Sequence, residues 1–265
     1  MLYPAPQDKD FPWWLVALGV LALIAVWRMA SDPIYQQLVV TLQRGVGITV
    51  FVTLVGFTMA SLMGMGLALM SLSRSLVLRQ IARFYIEIVR GVPIIVLLLY
   101  VAFVFAPAIV AGYNWVAEVL GGEAIRTRDF PLLWRAIIAL AVGYSAFIAE
   151  VFRAGLQSVD VGQLEAADAL GLSRWNRFRH IVFPQAIRTI LPPLGNDFVA
   201  MVKDSSLVSV LGVLDVTQLG KVIAASNFRY FETYNVVALI YLTMTVGLSL
   251  LLRRLEVYLR QGERR

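Results

Sequence analysis

From Gly45 to Ser73 the chain carries no charged residue. About 20 apolar residues carry a helix across a hydrocarbon core of roughly 30 Å. This run is longer, so it must tilt or leave the membrane still helical. The rest of the chain agrees with it. Of 265 residues, 59% are hydrophobic and 15% charged, and the mean hydropathy is +0.76. Too few polar residues remain to cover a soluble domain. The fold class is therefore an all-α membrane protein with about six transmembrane helices, expected near 11–29, 46–73, 86–110, 132–153, 190–213 and 233–252. Within the second, Gly56, Ala60, Gly64 and Ala68 recur at every fourth place. Such a ridge of small residues lets another helix approach closely.

The first segment is read as a retained helix. Asp8, Lys9 and Asp10 precede it in place of a basic signal-peptide flank. Trp13, Trp14 and Trp27 bracket it as interfacial anchors would. The fifth segment is the least apolar, because Asp197, Lys203 and Asp204 lie inside it. The net charge of +6 is read as the cationic excess of cytoplasmic loops, not as a nucleic-acid surface. With the amino terminus inside, 14 Lys and Arg fall on the cytoplasmic side and six outside. Both termini are then expected in the cytoplasm. Arg28, just after the first helix, opposes this assignment locally. No cysteine is present, so disulfides and thiol chemistry are excluded.

One block contradicts the oily background: "EAADALGLSRWNRFRHIVFP", Glu165–Pro184, with two acids, three arginines and the only histidine. The charge bias places it in the cytoplasm. It reads as helix, break, helix. Asp160 can cap the first helix and Gly171 can end it in the left-handed conformation. Ser173 can cap the second, and Pro184 stops that helix or starts the next. So short a pair cannot build its own core. The small side chains of Ala166, Ala167 and Gly171 suit close contact with a protein surface. The first helix is acidic, unlike a basic membrane-surface helix.

The block resembles the EAA loop of permease subunits in bacterial ABC importers. Glu165, Ala166 and Ala167 are followed by Gly171, then by Ile181 and Pro184 at the family's spacing. Phe183 stands where the family usually has Leu. "VRGVPIIVLLLY" (Val89–Tyr100), "FIAEVFRAGLQSVDVGQLEAA" (Phe147–Ala167) and "LPPLGNDFVAMVKDSSLVSVLGVLDVTQLG" (Leu191–Gly220) resemble the polar amino acid branch. The resemblance covers roughly Gly45 to Arg254. It implies a five-helix permease core over 45–265, with a coupling loop at 155–188. Residues 1–44 then hold a cytoplasmic tail, an extra transmembrane helix and a short extracytoplasmic linker.

What the resemblance implies is transport of a polar amino acid into the cytoplasm by alternating access, in the bacterial inner membrane. The implied partners are a pair of cytoplasmic ATPase subunits, a second permease subunit of the same or a sister chain, and an extracytoplasmic substrate-binding protein. Glu165, Ala166, Ala167, Gly171, Ile181 and Pro184 would couple the chain to the ATPase. ATP and Mg²⁺ would be used there, and this chain would need no cofactor. The sequence agrees that it is not the ATPase. Its only Gly-Lys pair, Gly220-Lys221, has Asp215 where a P-loop needs its first Gly and Val222 where it needs Ser or Thr.

For the substrate path, ionisable residues at membrane depth are the candidates. Lys203 and Asp204, followed by Ser205, Ser206 and Ser209, either touch substrate or form a structural pair. Glu150 shares a helix side with Arg153 and Gln157. It either holds a substrate ammonium or pairs with Arg153. Arg90, with Gly91 and Pro93, opens the third segment; it either serves helix entry and an interface, the favoured reading, or contacts the ligand. The rival readings lack support. A secondary transporter or channel for a small polar solute should show two matching halves with broken helices, and none are found. A membrane enzyme needs a nucleophile with its base, or a metal cluster. A structural anchor would have no use for Lys203 and Asp204 in the bilayer.

Overall fold

The computed structural model describes residues 13–261. The amino-terminal tail, Lys9, Arg264 and Arg265 lie outside the described residues, as do the side chains of Trp14 and Arg260. Every regular element described is helical. Helix α1 (Trp13–Ser31) runs almost directly into α2 (Pro33–Ser71). Asp32 separates them, and its Oδ1 accepts the Ile34 N–H at 2.9 Å. Pro33 follows at the position where a missing N–H costs nothing. Residues 33–44, expected as a linker, are thus the first turns of α2. At 1.5 Å per residue, its 39 residues span about 58 Å, and the helix outruns the hydrocarbon core.

The third span departs from expectation. Helix α3 (Leu76–Gly91) stops at Val92–Pro93, and α4 (Ile94–Tyr100) begins there. A π turn over Val101–Phe105 joins α4 to α5 (Ala106–Leu120). The connection between the expected third and fourth spans, 111–131, shrinks to 121–131. Arg135 holds that loop down. Its guanidinium donates to Ala102 O at 3.1 Å, to Phe130 O at 3.0 Å through Nε, and to Thr127 O. A buried charge is tolerable when carbonyls satisfy its donors in this way.

Helix α6 (Leu132–Gln157) is the buried axis of the molecule. It runs parallel to α2 along the small-residue ridge. A Cβ on Gly64 would lie 2.9 Å from Ile148 Cγ2 and 3.0 Å from Ser145 O, so glycine sets the helix separation there. Gly56, Ala60 and Ala68 are buried on the same seam. Leu140, Ile148 and Met201 fill the core on either side.

After α7 (Val161–Ala169), one helical rod runs from Arg174 to Leu211. It comprises α8 (Arg174–Arg177), a π turn over Phe178–Val182, α9 (Phe183–Asp204) and a 3₁₀ stretch over Ser205–Leu211. Gly212, at φ +79, ends it. Helix α10 (Val216–Asn227) then departs at 49°. The fifth segment expected over 190–213 is therefore a rod extending far beyond the membrane at one end and a broken span at the other. Asp215 starts α10: Oδ1 accepts the Gln218 N–H at 2.8 Å and Oδ2 accepts the Tyr241 hydroxyl at 2.9 Å. Helix α11 (Tyr230–Gln261) closes the bundle.

Among the described residues, Pro33–Ser71, Ile94–Leu120, Leu132–Gln157 and Tyr230–Leu255 are long and apolar enough to cross a membrane, and the bent pair makes a fifth span. Helix α1 stands where the added first span was expected. Exposed Leu62, Leu69, Phe103, Trp115 and Leu251 coat the outside, as lipid contact requires.

Candidate functional site

The break at Val92–Pro93 opens a cavity of about 510 Å³ between α3, α4, α6 and α9. Val92 is extended, and Pro93 has no N–H to continue the helix. Gly143 lets α4 approach: a Cβ there would sit 3.2 Å from both Ile94 Cδ1 and Leu97 Cδ2. Gly143 and Tyr144 stand midway along α6, while Ile94 and Leu97 begin the span Ile94–Leu120, so the cavity lies among the membrane-spanning helices.

Five side chains give it its chemistry: Arg90, Tyr144, Phe147, Asp197 and Asp204. The Tyr144 hydroxyl donates to Asp204 Oδ2 at 2.8 Å. The Arg90 guanidinium carbon lies 5.6 Å from the centroid of the Phe147 ring, a cation–π arrangement. Asp197 Oδ2 is buried without a hydrogen-bond partner. A buried carboxylate oxygen left unpaired is costly, and a cationic or N–H-bearing ligand group would relieve it. The cavity thus offers a cation for a carboxylate, two carboxylates for an ammonium, and apolar walls between them.

Of the residues singled out for the substrate path, only Asp204 lines this cavity. Lys203 is exposed on another side of α9. Ser205 is buried and its hydroxyl donates to Val202 O at 2.7 Å; Ser209 is buried and Ser206 half-buried. Glu150 lies two turns before the end of α6, paired with Arg153 at 2.5 Å, while Arg153 also donates to Gln157 Oε1 at 2.8 Å. Of its two readings, the ion pair is the one this geometry contains. The sequence did not point to Tyr144 or Phe147, showed Asp197 only as a charge inside the fifth segment, and put ligand contact by Arg90 second to a helix-entry and interface role. A signal was present: Asp197 and Asp204 are seven apart, two turns on one helix face.

The second site is the charged block. In α7, Glu165 and Ala166 are exposed, while Ala167 is 1% exposed and packed inside the chain. Ala167 therefore cannot offer its methyl group to a partner, contrary to expectation. Leu170, near the end of the same helix, is 80% exposed. Gly171, at φ +72, ends the helix. Its N–H donates to Asp168 O at 3.0 Å and the Leu172 N–H donates to Ala167 O at 3.1 Å, a left-handed helix stop. Asp160 begins α7 without a side-chain cap, whereas Ser173 Oγ accepts the Asn176 N–H at 3.3 Å.

The second helix of the block is not a separate element. Ile181 and Pro184, both half-buried, belong to the continuous rod that becomes α9. Two bridges tie α7 to that rod: Arg177 to Asp168 at 2.6 Å, and Gln185 Nε2 to Gln163 Oε1 at 2.6 Å. Displacing α7 would therefore pull on the same rod that carries Asp197 and Asp204. Among the described residues, no group of His, Cys, Asp or Glu could hold a metal ion.

A family described as "Binding-protein-dependent transport system inner membrane component" matches residues 56–265. The chain is 36% identical over 211 residues to "Probable amino-acid permease protein YxeN" of Bacillus subtilis (strain 168), covering 80% of this chain and 88% of that one. It is 34% identical over 213 residues to "Glutamine transport system permease protein GlnP" of Escherichia coli (strain K12), covering 80% and 90%. A solved "amino acid ABC transporter with histidines" superposes with a TM-score of 0.69 at 36% identity, over 87% of this chain and 98% of that one. The family match starts at Gly56, so α1 falls before it. A charged cavity beside the break that precedes Ile94–Leu120, on the same rod that is bridged to the exposed helix α7, suits a transport subunit driven from outside the membrane. The chain belongs to the binding-protein-dependent transport system inner membrane components, as the multi-pass permease subunit of an ABC importer whose ATP hydrolysis resides in a separate subunit.

Proposed function

We propose that this permease carries a polar amino acid into the cytoplasm through the cavity bounded by Arg90, Asp197 and Asp204. The observation that carries the reading is one guanidinium and two carboxylates lining a single cavity among the membrane-spanning helices. A zwitterion presents the complementary pair. Its carboxylate would meet Arg90, and its ammonium would meet the orphan oxygen of Asp197 together with Asp204. The names of the relatives, an amino-acid permease and a glutamine permease, point to the same substrate class.

Helix α7 docks on the ATPase through Glu165, Ala166 and Leu170, with Gly171 closing the contact. Arg177–Asp168 and the rod through Ile181 and Pro184 pass the motion to α9. The loop charges favour both termini, and α7, on the cytoplasmic face. A pair of ATPase subunits, which use ATP and Mg²⁺, and a second permease chain complete the transporter. An extracytoplasmic binding protein delivers substrate to the opposite face.

The test is amino acid uptake into proteoliposomes holding the assembled transporter and its binding protein. A charge-assisted hydrogen bond contributes about 1.5–3 kcal/mol. Asp197→Asn and Asp204→Asn are therefore each expected to lower uptake by about 10- to 100-fold, with assembly unchanged. Tyr144→Phe removes only the hydroxyl that orients Asp204 and is expected to cost about fivefold. Wild-type uptake in both aspartate variants would remove this cavity from the path.

A further inference from the structure

At the end of the bundle opposite α7 lies a second cavity, of about 440 Å³, between the first turns of α2 and the last turns of α10. That volume falls within the usual range for small-ligand sites. One wall is apolar, made by Ile34, Leu38 and Ile223; the other is polar, made by Gln37, Asn227 and Arg229. The polar wall has donors to spare. The Arg229 backbone N–H is engaged with Asn227 Oδ1 at 2.9 Å. Among the described residues, the Arg229 guanidinium and the amide N–H groups of Gln37 and Asn227 make no hydrogen bond. No carboxylate lines the cavity.

Its depth is marked by its neighbours. Arg229 directly precedes the span Tyr230–Leu255. Around it Phe228 is 81% exposed and Phe231 75%, with Tyr230 and Tyr234 also exposed. Exposed aromatic residues beside a basic one, at the start of a span, mark the membrane–water boundary. A cavity there has lipid tails on one side and headgroups on the other.

We propose that this cavity binds an anionic phospholipid. The phosphate sits on the Arg229 guanidinium, with the Gln37 and Asn227 amides donating to phosphate and ester oxygens. The acyl chain follows Ile34, Leu38 and Ile223 toward the bilayer. A soluble anion would use only the polar wall. An acidic patch on a protein partner would leave the apolar wall uncovered. The amphiphile uses both. A bound lipid would also brace α10 against α2 where the fifth span is broken.

The full chain, stripped of lipid and returned to nanodiscs of phosphatidylcholine with or without phosphatidylglycerol, provides the test. Phosphatidylglycerol retained after detergent extraction is counted by native mass spectrometry. The wild-type protein is expected to retain one phosphatidylglycerol that Arg229→Gln loses, with affinity lowered at least about fivefold, the factor for about 1 kcal/mol per arginine at a membrane surface. Arg229→Lys, which keeps the charge, is expected to recover most of it. Arg229 is exposed in the short connection between α10 and α11, so the variants should fold. Displacement of the lipid by inorganic phosphate would reassign the site to a soluble anion. Unchanged retention in Arg229→Gln with weakened attachment of the binding protein would assign the arginine to that docking face. Either result overturns the proposal.

Discussion

Gly171→Val is expected to abolish uptake-coupled ATP hydrolysis while the chain still inserts and assembles. Gly171 has φ +72, where a residue with a Cβ costs about 1–2 kcal/mol and a β-branched one is a clear outlier. Among the described residues nothing lies within 4 Å of a Cβ at that place, so folding of the bundle has no steric objection. The strain falls on the two hydrogen bonds that end α7 and aim Leu170. On the proposed reading, the added side chain also stands where the ATPase must come close. The loss should therefore exceed the roughly tenfold that strain alone explains. Gly171→Asn is the control, because asparagine tolerates the left-handed region; it should keep most of the coupling. ATPase activity stimulated by the loaded binding protein is the readout. Coupling that survived Gly171→Val combined with Glu165→Lys would end the docking reading.

Gly45→Ala is expected to be among the most destabilising single methyl additions in the molecule. A Cβ there would lie 2.6 Å from Val216 N, 2.7 Å from Asp215 C and 2.8 Å from Val216 Cα. All three are backbone atoms, so no side chain can swing aside. Relief requires α2 and α10 to separate. That separation pulls Val216 N from Thr49 Oγ1 and disturbs the buried Asp215–Tyr241 pair. Overpacking of this kind costs about 1–3 kcal/mol, and loosening a buried carboxylate adds to it. A thermal midpoint lower by several degrees is expected in detergent. Two residues on, Gly47→Ala meets nothing within 4 Å and should be neutral or stabilising by up to about 1 kcal/mol, since alanine favours helix. Equal midpoints for the two variants would mean that the α2–α10 contact is looser than its geometry.

These two glycines also separate what a sequence can say from what it cannot. Gly171 was legible because its role is local. A helix stop in the left-handed region, eleven residues after the capping residue type at Asp160, needs only its neighbours in the chain. Gly45 was illegible because its constraint comes from Val216, 171 positions away. The ridge at Gly56, Ala60, Gly64 and Ala68 lies between these cases. Its spacing showed that some helix approaches, and the fold supplied α6 as that helix.

By itself the sequence determined the class of fold, the approximate number of spans, the exposed charged block and the helix stop at Gly171. Each rests on hydropathy or on backbone preference along a few consecutive residues. Only the tertiary structure decided where the spans break, at Val92–Pro93 and Gly212–Asp215, because an averaged apolar run conceals an interruption of two or three residues. It alone turned Ala167 inward and paired Glu150 with Arg153. It alone brought Arg90, Tyr144, Asp197 and Asp204 together from three helices. A site assembled across helices depends on their packing, and packing is decided by distances that no local stretch of sequence contains.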